Sequence, residues 1–404
     1  MPDDFGPAAP RQGFSTRLSH VGRCDKHTGG FVNPPVWRGS TVLYPTMADR
    51  QRAQGKPNAL SQSLTYGLLG TPTHFALENA IAEIEGGTRC QIVGSGLAAI
   101  TTPLLAYLTT GKHCLVPDSA YGPTRTFCDS MLKRLGIATT YYNPCVDAAG
   151  LTALLRPNTT VLFVESPGSH TFEMQDVPAL AAVAHAHGAK VLMDNTWGIH
   201  FFQPFRHGVD VSIQAATKYI GGHSDLMLGA VTVNSAEDWE HVRTAALELG
   251  QYASPDDCWL ALRGVRTLLV RLQRQMHTGL AVAAWLRQQP QVKLVLHPGL
   301  PGAPGHELWR RDFTGACGLF GVVLQSEFDY RAVCTLAESL ELFGIGASWG
   351  GYESLVLPTE GTIRRTAGTG DFGGQMLRLH VGLEEPGDLI ADLAQGLSAM
   401  HPAD

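Results

Sequence analysis

Short apolar segments alternate with helical patterns through the middle of the chain, and this alternation restricts the fold more than any other feature of the sequence. The apolar segments are His113–Pro117, Val161–Glu165, Lys190–Asp194, Val211–Ala215 and Leu228–Val233. Each has the length of a β-strand, and the stretches between them are long enough to carry the chain back across a sheet. The pattern therefore predicts an α/β fold whose crossover units lie on a mostly parallel sheet.

Local signals predict the helix that precedes the strand at 190–194. Asp176 suits an N-cap, Pro178 suits the first helical turn, and Gly188 suits the helix end. This helix and strand together place Asp194 at the carboxyl end of a parallel strand. Ligands bind at that edge of open α/β sheets, so a polar residue there is a candidate for function.

The two ends of the chain differ from its middle. Residues 1–65 contain many Pro, Gly and Ser residues, which predicts an extended arm that lies on a neighbouring subunit. A long helical pattern at 263–289 is followed by strand patterns near 292–297, 317–325 and 376–383, and by a final helix with Leu389, Leu393 and Leu397 on one face. We predict three parts: the N-terminal arm 1–65, a large domain 66–262 and a smaller C-terminal α+β domain 263–404.

Composition and charge exclude several classes of partner. The chain has 30 Lys and Arg against 36 Asp and Glu, and no basic run that would follow a nucleic acid backbone. Its most apolar stretch, 97–108, falls short of the ~20 residues that span a membrane, and the residues after Met1 do not resemble an export signal.

Eight cysteines without a CxxC motif favour a reducing cytoplasm. His185 and His187 point in different directions on a helix, so we expect no metal site.

Lys218 is the strongest single candidate for chemistry. It follows the apolar segment 211–215 and precedes the glycine-rich turn at Gly221 and Gly222. A lysine in partly desolvated surroundings has a lowered pKa, and its neutral amine is the nucleophile that forms an imine. On this segment alone, a lysine that reaches from the strand end to solvent is the favoured interpretation.

Three further features suit a cofactor with a phosphate and a protonated ring. Asp194 lies 24 residues before Lys218 and could pair with a ring nitrogen. The turn at 93–97 opens a helix whose free N–H groups would receive a phosphate. Tyr121, just beyond a strand, could stack on a flat ring. Each feature alone has an ordinary structural explanation, as a turn cap, a helix start or a packed tyrosine.

Together, in the order glycine turn, tyrosine, aspartate and lysine, these features closely resemble the Cys/Met metabolism family of fold-type I enzymes that use pyridoxal 5′-phosphate (PLP). Within that family the chain is most similar to bacterial cystathionine β-lyases. The matching segments are 70–75, 165–168, 194–197, 212–219, 348–354 and 377–384. The resemblance implies the PLP-dependent transferase-like fold, with a mostly parallel seven-stranded sheet in the large domain and a smaller C-terminal α+β domain.

The resemblance also implies roles for individual residues. Lys218 would bind PLP covalently, Asp194 would pair with the ring nitrogen, and Tyr121 would stack on the ring and take part in catalysis. The phosphate would be held by Ser95, Gly96, Leu97 and Thr217, and by Tyr66 from a neighbouring subunit. The substrate would be bound by Arg378, which forms a fork around its carboxylate, and by Ser348, Trp349 and Tyr121. The active site would then belong to a dimer, and the oligomer would be a tetramer.

Four positions depart from the family pattern around this pocket. Leu68 and Leu69 stand where relatives usually have two arginines. The first arginine normally contacts the phosphate, so its loss removes a charge-assisted bond worth about 1.5–3 kcal/mol. The second arginine, with an acid at the position of Thr126, is associated with the far end of cystathionine, and Ala347 replaces a tyrosine. These changes favour an apolar or shorter distal group on the substrate.

The activity implied by the resemblance is a PLP-dependent carbon–sulfur β-lyase. Such an enzyme converts a sulfur-containing amino acid, with cystathionine as the default substrate, to a thiol, pyruvate and ammonia. The altered pocket keeps a second hypothesis open, in which the same cofactor serves β- or γ-replacement, γ-elimination or racemisation. A third hypothesis is a degenerate scaffold without catalysis, which the presence of Lys218, Asp194, Tyr121 and Arg378 disfavours.

Overall fold

The computed structural model describes residues 12–23, 28–54, 61–368 and 370–402. It is an α/β structure with two sheets, and helices pack on both of them. The described α-helices are α1 Phe14–His20, α2 Met47–Ala53, α3 Pro72–Glu85, α4 Gly96–Tyr107, α5 Gly122–Phe127, α6 Ala148–Leu154, α7 Val177–Ala186, α8 Ala236–Glu248, α9 Pro255–Val265, α10 Leu268–Leu286, α11 His306–Asp312, α12 Tyr330–Ser339 and α13 Pro386–Ala399.

The larger sheet has seven strands in the order β1-β7-β6-β5-β4-β2-β3. They are β1 Arg89–Val93, β2 His113–Pro117, β3 Ala138–Tyr142, β4 Thr159–Glu165, β5 Lys190–Asp194, β6 Val211–Gln214 and β7 Gly229–Val233. Only β7 runs antiparallel to its neighbours, so the predicted, mostly parallel seven-stranded sheet is confirmed. The carboxyl ends of the other six strands therefore meet at one edge.

The central strands β4 and β5 are buried on both faces, as expected for a parallel sheet covered by helices. Their apolar runs read as near-continuous hydrophobic segments for this reason. The register places Glu165 beside Asp194 at the carboxyl edge. Two polar side chains at the end of two buried strands thus lie next to each other.

Helix α7 begins and ends where the sequence predicts. The Asp176 side chain accepts a hydrogen bond from Ala179 N, Pro178 lies in the first turn, and Gly188 follows the helix with φ of 79°. Glycine adopts this left-handed conformation without steric cost, which is why the chain can turn there into β5.

The second sheet has five strands in the order β10-β11-β12-β9-β8. They are β8 Val292–Leu296, β9 Leu319–Leu324, β10 Gly344–Ile345, β11 Leu355–Pro358 and β12 Met376–His380. The strand predictions near 292, 317 and 376 and the predicted final helix are confirmed, and Leu389, Leu393 and Leu397 are buried. The single long helix predicted at 263–289 is wrong, because the chain forms α9 and α10 with a break at Arg266 and Thr267.

The N-terminal segment is described only in part, since residues 1–11, 24–27 and 55–60 of the predicted arm lie outside the described ranges. The described parts hold α1, α2 and extended chain. The division into domains stays a prediction, and residue 262 lies inside α9. Across the described ranges, every helix is too short or too polar to span a lipid bilayer.

Candidate active site

A cavity of about 310 Å³ lies at the carboxyl edge of the larger sheet, where it faces the second sheet. The ends of β1, β2, β4, β5 and β6 each bring residues to it, as parallel strands must at a common edge. Nine of the eleven predicted site residues line it: Ser95, Gly96, Leu97, Tyr121, Asp194, Thr217, Lys218, Trp349 and Arg378. Of the other two, Ser348 lies beside the cavity, in contact with Lys218, and Tyr66 lies away from it.

Lys218 lies in the turn after β6. Its ammonium group donates a hydrogen bond to Ser348 Oγ at 2.7 Å and lies 5.4 Å from the centre of the Trp349 ring. Burial and the positive charge of Arg378 lower the pKa of Lys218 to about 8, although Asp194 acts in the opposite direction. A substantial fraction of this lysine is therefore a neutral amine near physiological pH.

Asp194 ends β5 and is held by its own turn. Its Oδ1 atom accepts hydrogen bonds from the Thr196 N–H at 3.0 Å and the Thr196 hydroxyl at 2.6 Å. Its Oδ2 atom takes no hydrogen bond from the described part of the chain, so it is available to a ligand. Burial raises the pKa of this carboxyl, and the two Thr196 bonds and Lys218 oppose the increase.

A second buried carboxyl, Glu85, lies behind Asp194 and was not predicted. It accepts hydrogen bonds from Ser212, from Gln214 at 2.8 Å and from Asn195 at 3.2 Å. Burial raises the pKa of Glu85 to about 8, and the charge of Asp194 contributes. In the sequence it is the last helical residue before two glycines, a position that is usually exposed, so no signal identified it.

Glu165 fixes the backbone of Tyr121. Its Oε2 atom accepts the Tyr121 N–H at 2.8 Å, and burial raises the pKa of this carboxyl. The Tyr121 ring lines the cavity and is 44% exposed, so a flat ligand could stack on it. Glu165 lies in the segment 165–168 that matches the family pattern, but the resemblance implied no role for it.

The start of α4 forms a cradle at one end of the cavity. Ser95 caps the helix by accepting the Ala98 N–H at 3.1 Å, and the first N–H groups of a helix have no intrahelical partner. A Cβ atom on Gly96 would lie only 2.7 Å from the Ala215 Cβ, so only glycine fits there. Thr217 also lines the cavity, but its hydroxyl is bonded to the backbone of Leu228.

Arg378 projects from β12, in the second sheet. Its guanidinium donates hydrogen bonds to the carbonyl oxygens of Ala347 and Ser348, and burial lowers its pKa to about 10. These bonds fix the guanidinium at the wall opposite the larger sheet, with other donors left for an anion. Ala347, one of the four departures from the family pattern, also lines the cavity.

Tyr66 does not join this cavity. It forms an isolated bridge with Thr41 and is 52% exposed. It lines a separate groove with residues of the N-terminal segment, including Leu69. Leu68, two residues after Tyr66 in the sequence, is 37% exposed. Among the described residues, no group of three or more His, Cys, Asp or Glu lies together in a way that could hold a metal ion.

The chain is similar to known PLP-dependent proteins over almost its whole length. The family model "Cys/Met metabolism PLP-dependent enzyme" matches residues 15–398. A cystathionine β-lyase of Bordetella avium is 44% identical to this chain, and the alignment covers 95% of this chain and 97% of the relative. A cystathionine β-lyase of Escherichia coli is 42% identical, with 95% of this chain and 98% of the relative covered. An L-alanine/L-glutamate racemase of Wolbachia pipientis is 37% identical, covering 95% of this chain and 96% of its own. The structure of metB from Corynebacterium glutamicum superposes with a TM-score of 0.87 at 30% identity, covering 97% and 99% of the two chains.

Proposed function

Because this chain belongs to the Cys/Met metabolism family of PLP-dependent enzymes, we propose that it is a carbon–sulfur β-lyase acting on a sulfur-containing amino acid. The α-carbon loses a proton, the bond between Cβ and sulfur breaks, and the thiol leaves. Addition of water to the remaining fragment gives pyruvate and ammonia. The observation that carries the proposal is the convergence of Lys218, Asp194, Tyr121 and Arg378 on one cavity.

The cavity fits PLP. Lys218 would hold the cofactor covalently, the unbonded Oδ2 of Asp194 would take the ring nitrogen, and the ring of Tyr121 would stack on it. The helix start at Ser95 and Gly96 suits the phosphate, because a side chain at position 96 has no room and the N–H groups are free. When bound, PLP supplies an electron sink for the charge that develops at the substrate α-carbon.

Lys218 moves the proton in this proposal. Its pKa of about 8 allows the amine to accept a proton from the α-carbon near physiological pH. The hydrogen bond to Ser348 holds the Nζ atom at the wall that also carries Arg378. Ser348 is therefore proposed to position the lysine, and Trp349 covers it from one side.

Arg378 orients the substrate. Its guanidinium is fixed by two backbone carbonyl groups, so it can form a fork around the substrate carboxylate without a large loss of entropy. A fixed carboxylate defines which substituent of the α-carbon faces Lys218. That orientation decides whether the proton or another group leaves.

The reaction outcome is tested by incubating the holoenzyme with cystathionine, S-alkylcysteines, alanine and glutamate, and by assigning products by mass spectrometry and chiral chromatography. We expect thiol, pyruvate and ammonia in equal amounts from at least one sulfur amino acid. Inversion of alanine or glutamate without release of pyruvate would instead establish the racemase alternative, which a relative of 37% identity favours. γ-Elimination would give 2-oxobutanoate from cystathionine.

We also propose that two subunits build each active site, that the enzyme is a homo-oligomer up to a tetramer, and that Tyr66 serves the partner's cavity. In a single chain the Tyr66 side chain is largely exposed to solvent. Phe31 and Leu43, also near the N-terminus, are 79% and 89% exposed. Apolar side chains exposed to this extent are typical of interaction surfaces. A cytoplasmic location belongs to the same proposal and is tested by cell fractionation.

Complementation between inactive variants tests the shared site. Co-expressed Lys218→Ala and Tyr66→Ala chains should regain about one quarter of the normal activity, because half of randomly formed dimers carry one intact site. Lys218→Ala with Asp194→Ala is the matched control and should regain none, since both residues belong to the same subunit's cavity. An active monomer by light scattering, or equal rescue in both pairs, would show that the sites are not shared.

A further inference from the structure

A short loop, residues 347–351, brings the second sheet into contact with the lysine of the larger sheet. Ser348 Oγ accepts the hydrogen bond from Lys218 Nζ at 2.7 Å, and the centre of the Trp349 ring lies 5.4 Å from the same atom. Gly350 has φ of 86°, and a Cβ atom on it would lie 3.0 Å from the Cα and carbonyl carbon atoms of Lys218. The place of the reactive amine therefore depends on the place of this loop.

The loop has little support at its own surface. Ala347 and Ser348 are exposed, and the strand before the loop, β10, has only two residues, both of them exposed. Few buried apolar contacts hold such a segment, and segments of this kind open easily. Side chains from other elements must therefore keep the loop against Lys218.

Two side chains of β12 hold the loop. Arg378 donates to the carbonyl oxygens of Ala347 and Ser348, and His380 Nε2 accepts the Gly350 N–H at 3.0 Å. Alternate residues of a strand share one face, so both side chains reach the same loop. Of the two, His380 binds the glycine that lies against the Lys218 backbone.

The surroundings of the imidazole define its protonation state. The Gly351 carbonyl oxygen lies 3.3 Å from Nε2, but it accepts a closer hydrogen bond from Gln275 at 2.7 Å. Nε2 is therefore the acceptor for Gly350, and the proton is on Nδ1, as neutral histidine allows. Burial lowers the pKa of His380 to about 3, so the ring stays neutral at physiological pH.

The imidazole is not the best side chain for stability at this position. Within the described ranges, no hydrogen bond reaches His380 Nδ1, and the residue is only 1% exposed. A buried N–H group without a partner destabilises the folded protein. An apolar side chain of similar size would avoid this loss, but it would offer no acceptor to Gly350. The acceptor atom is thus the feature that distinguishes histidine here.

We propose that His380 is a positioning residue, which holds Gly350 and thereby fixes Lys218 Nζ and Ser348 Oγ in the geometry for proton transfer. His380 does not line the active-site cavity, so it acts through the loop and not by touching the substrate. The inference rests on the proposed lyase function for the identity of the proton that moves.

Two substitutions at His380 test the proposal by kinetics. Glutamine can place an acceptor oxygen close to the position of Nε2, whereas leucine has no acceptor. We expect His380→Leu to lower kcat about tenfold and to increase the isotope effect of an α-deuterated substrate, because a misplaced base slows proton transfer in particular. His380→Gln should restore most of the activity. A kcat that is unchanged in His380→Leu, or that falls without an increase in the isotope effect, would overturn the proposal.

His297 provides the matched control. It is also a fully buried histidine that accepts a glycine N–H, from Gly299 to Nδ1 at 3.1 Å, and it does not line the active-site cavity. Both leucine variants should unfold at a lower temperature than the unmodified enzyme. Only His380→Leu should change kcat and the isotope effect. Equal kinetic changes in the two variants would show a general loss of stability and no positioning role.

Measurements on the resting holoenzyme separate this inference from the lyase proposal. Amide hydrogen exchange in residues 347–351 should be at least about tenfold faster in His380→Leu than in His380→Gln or the unmodified enzyme. The absorbance near 420 nm depends on protonation at the Lys218 nitrogen, so its pH midpoint should shift by about 0.5 pH unit or more in His380→Leu alone.

Neither measurement requires turnover. If no sulfur amino acid is cleaved but both changes are found, the lyase proposal fails and the positioning role of His380 stands. If either change is absent, the positioning role is wrong whatever reaction the enzyme catalyses.

Discussion

Replacing Lys218 by alanine should lower kcat by at least about 10⁴-fold, the largest effect expected of any single substitution in this protein. The lysine is proposed both to hold the cofactor and to move the α-proton, and no other lysine lines the cavity in the part of the chain that is described. The variant should fold normally, because the Lys218 side chain makes one hydrogen bond, to Ser348.

Chemical labelling checks this assignment independently of turnover. Borohydride reduction of the holoenzyme followed by peptide mapping should place the pyridoxyl group on Lys218, and the absorbance near 420 nm that we expect of the holoenzyme should be lost in Lys218→Ala. Lys112→Ala is the matched control, since Lys112 is exposed and outside the cavity. A label on Lys112 or Lys190 would show that the wrong lysine has been assigned.

Asp194→Asn should lower kcat by about 10²–10³-fold, because a fixed negative charge opposite the ring nitrogen is lost. The amide oxygen of asparagine can still accept both Thr196 bonds, so the turn after β5 should keep its shape. Thermal unfolding should therefore shift little while turnover falls. Steady-state kinetics and calorimetry on the same preparations make the comparison.

The Thr196→Val variant distinguishes the effect of the Asp194 charge from that of the hydrogen bond that holds Asp194 in place. It removes the hydroxyl bond to Asp194 and keeps the carboxylate, so we expect a far smaller decrease than in Asp194→Asn. If Asp194→Asn retained full activity with the cofactor bound, the aspartate would have no electrostatic role. A large loss of stability without loss of turnover would give it a structural role only.

The sequence predicts most of the site because the relevant residues lie at strand ends. Once alternating apolar segments indicate a parallel sheet, Asp194 and the turn that carries Lys218 must lie at the same edge. The strands β1 and β3 are harder to predict. In β3 the run Ala138–Tyr142 contains two threonines and two tyrosines and no continuous aliphatic stretch. Its burial therefore depends on which strands and helices lie next to it, and the sequence pattern does not give that arrangement.

Other features depend on contacts between residues far apart in the chain. The break between α9 and α10 has no proline, and Arg266 there donates to the carbonyl oxygen of Leu18, 248 residues earlier. Glu85 is buried by residues 110–129 positions away. No local pattern contains this information.

Asp118, directly after β2, holds residues 366–368 by hydrogen bonds to their backbone, and this has a consequence for protein engineering. Three of its hydrogen bonds come from backbone N–H groups, which every residue except proline supplies. Side chains in this segment can therefore be exchanged while the loop keeps its course, and the catalytic groups on the larger sheet remain untouched. A library randomised at 366–368, with Asp118 retained and proline excluded, should therefore keep both the course of the loop and the catalytic groups unchanged.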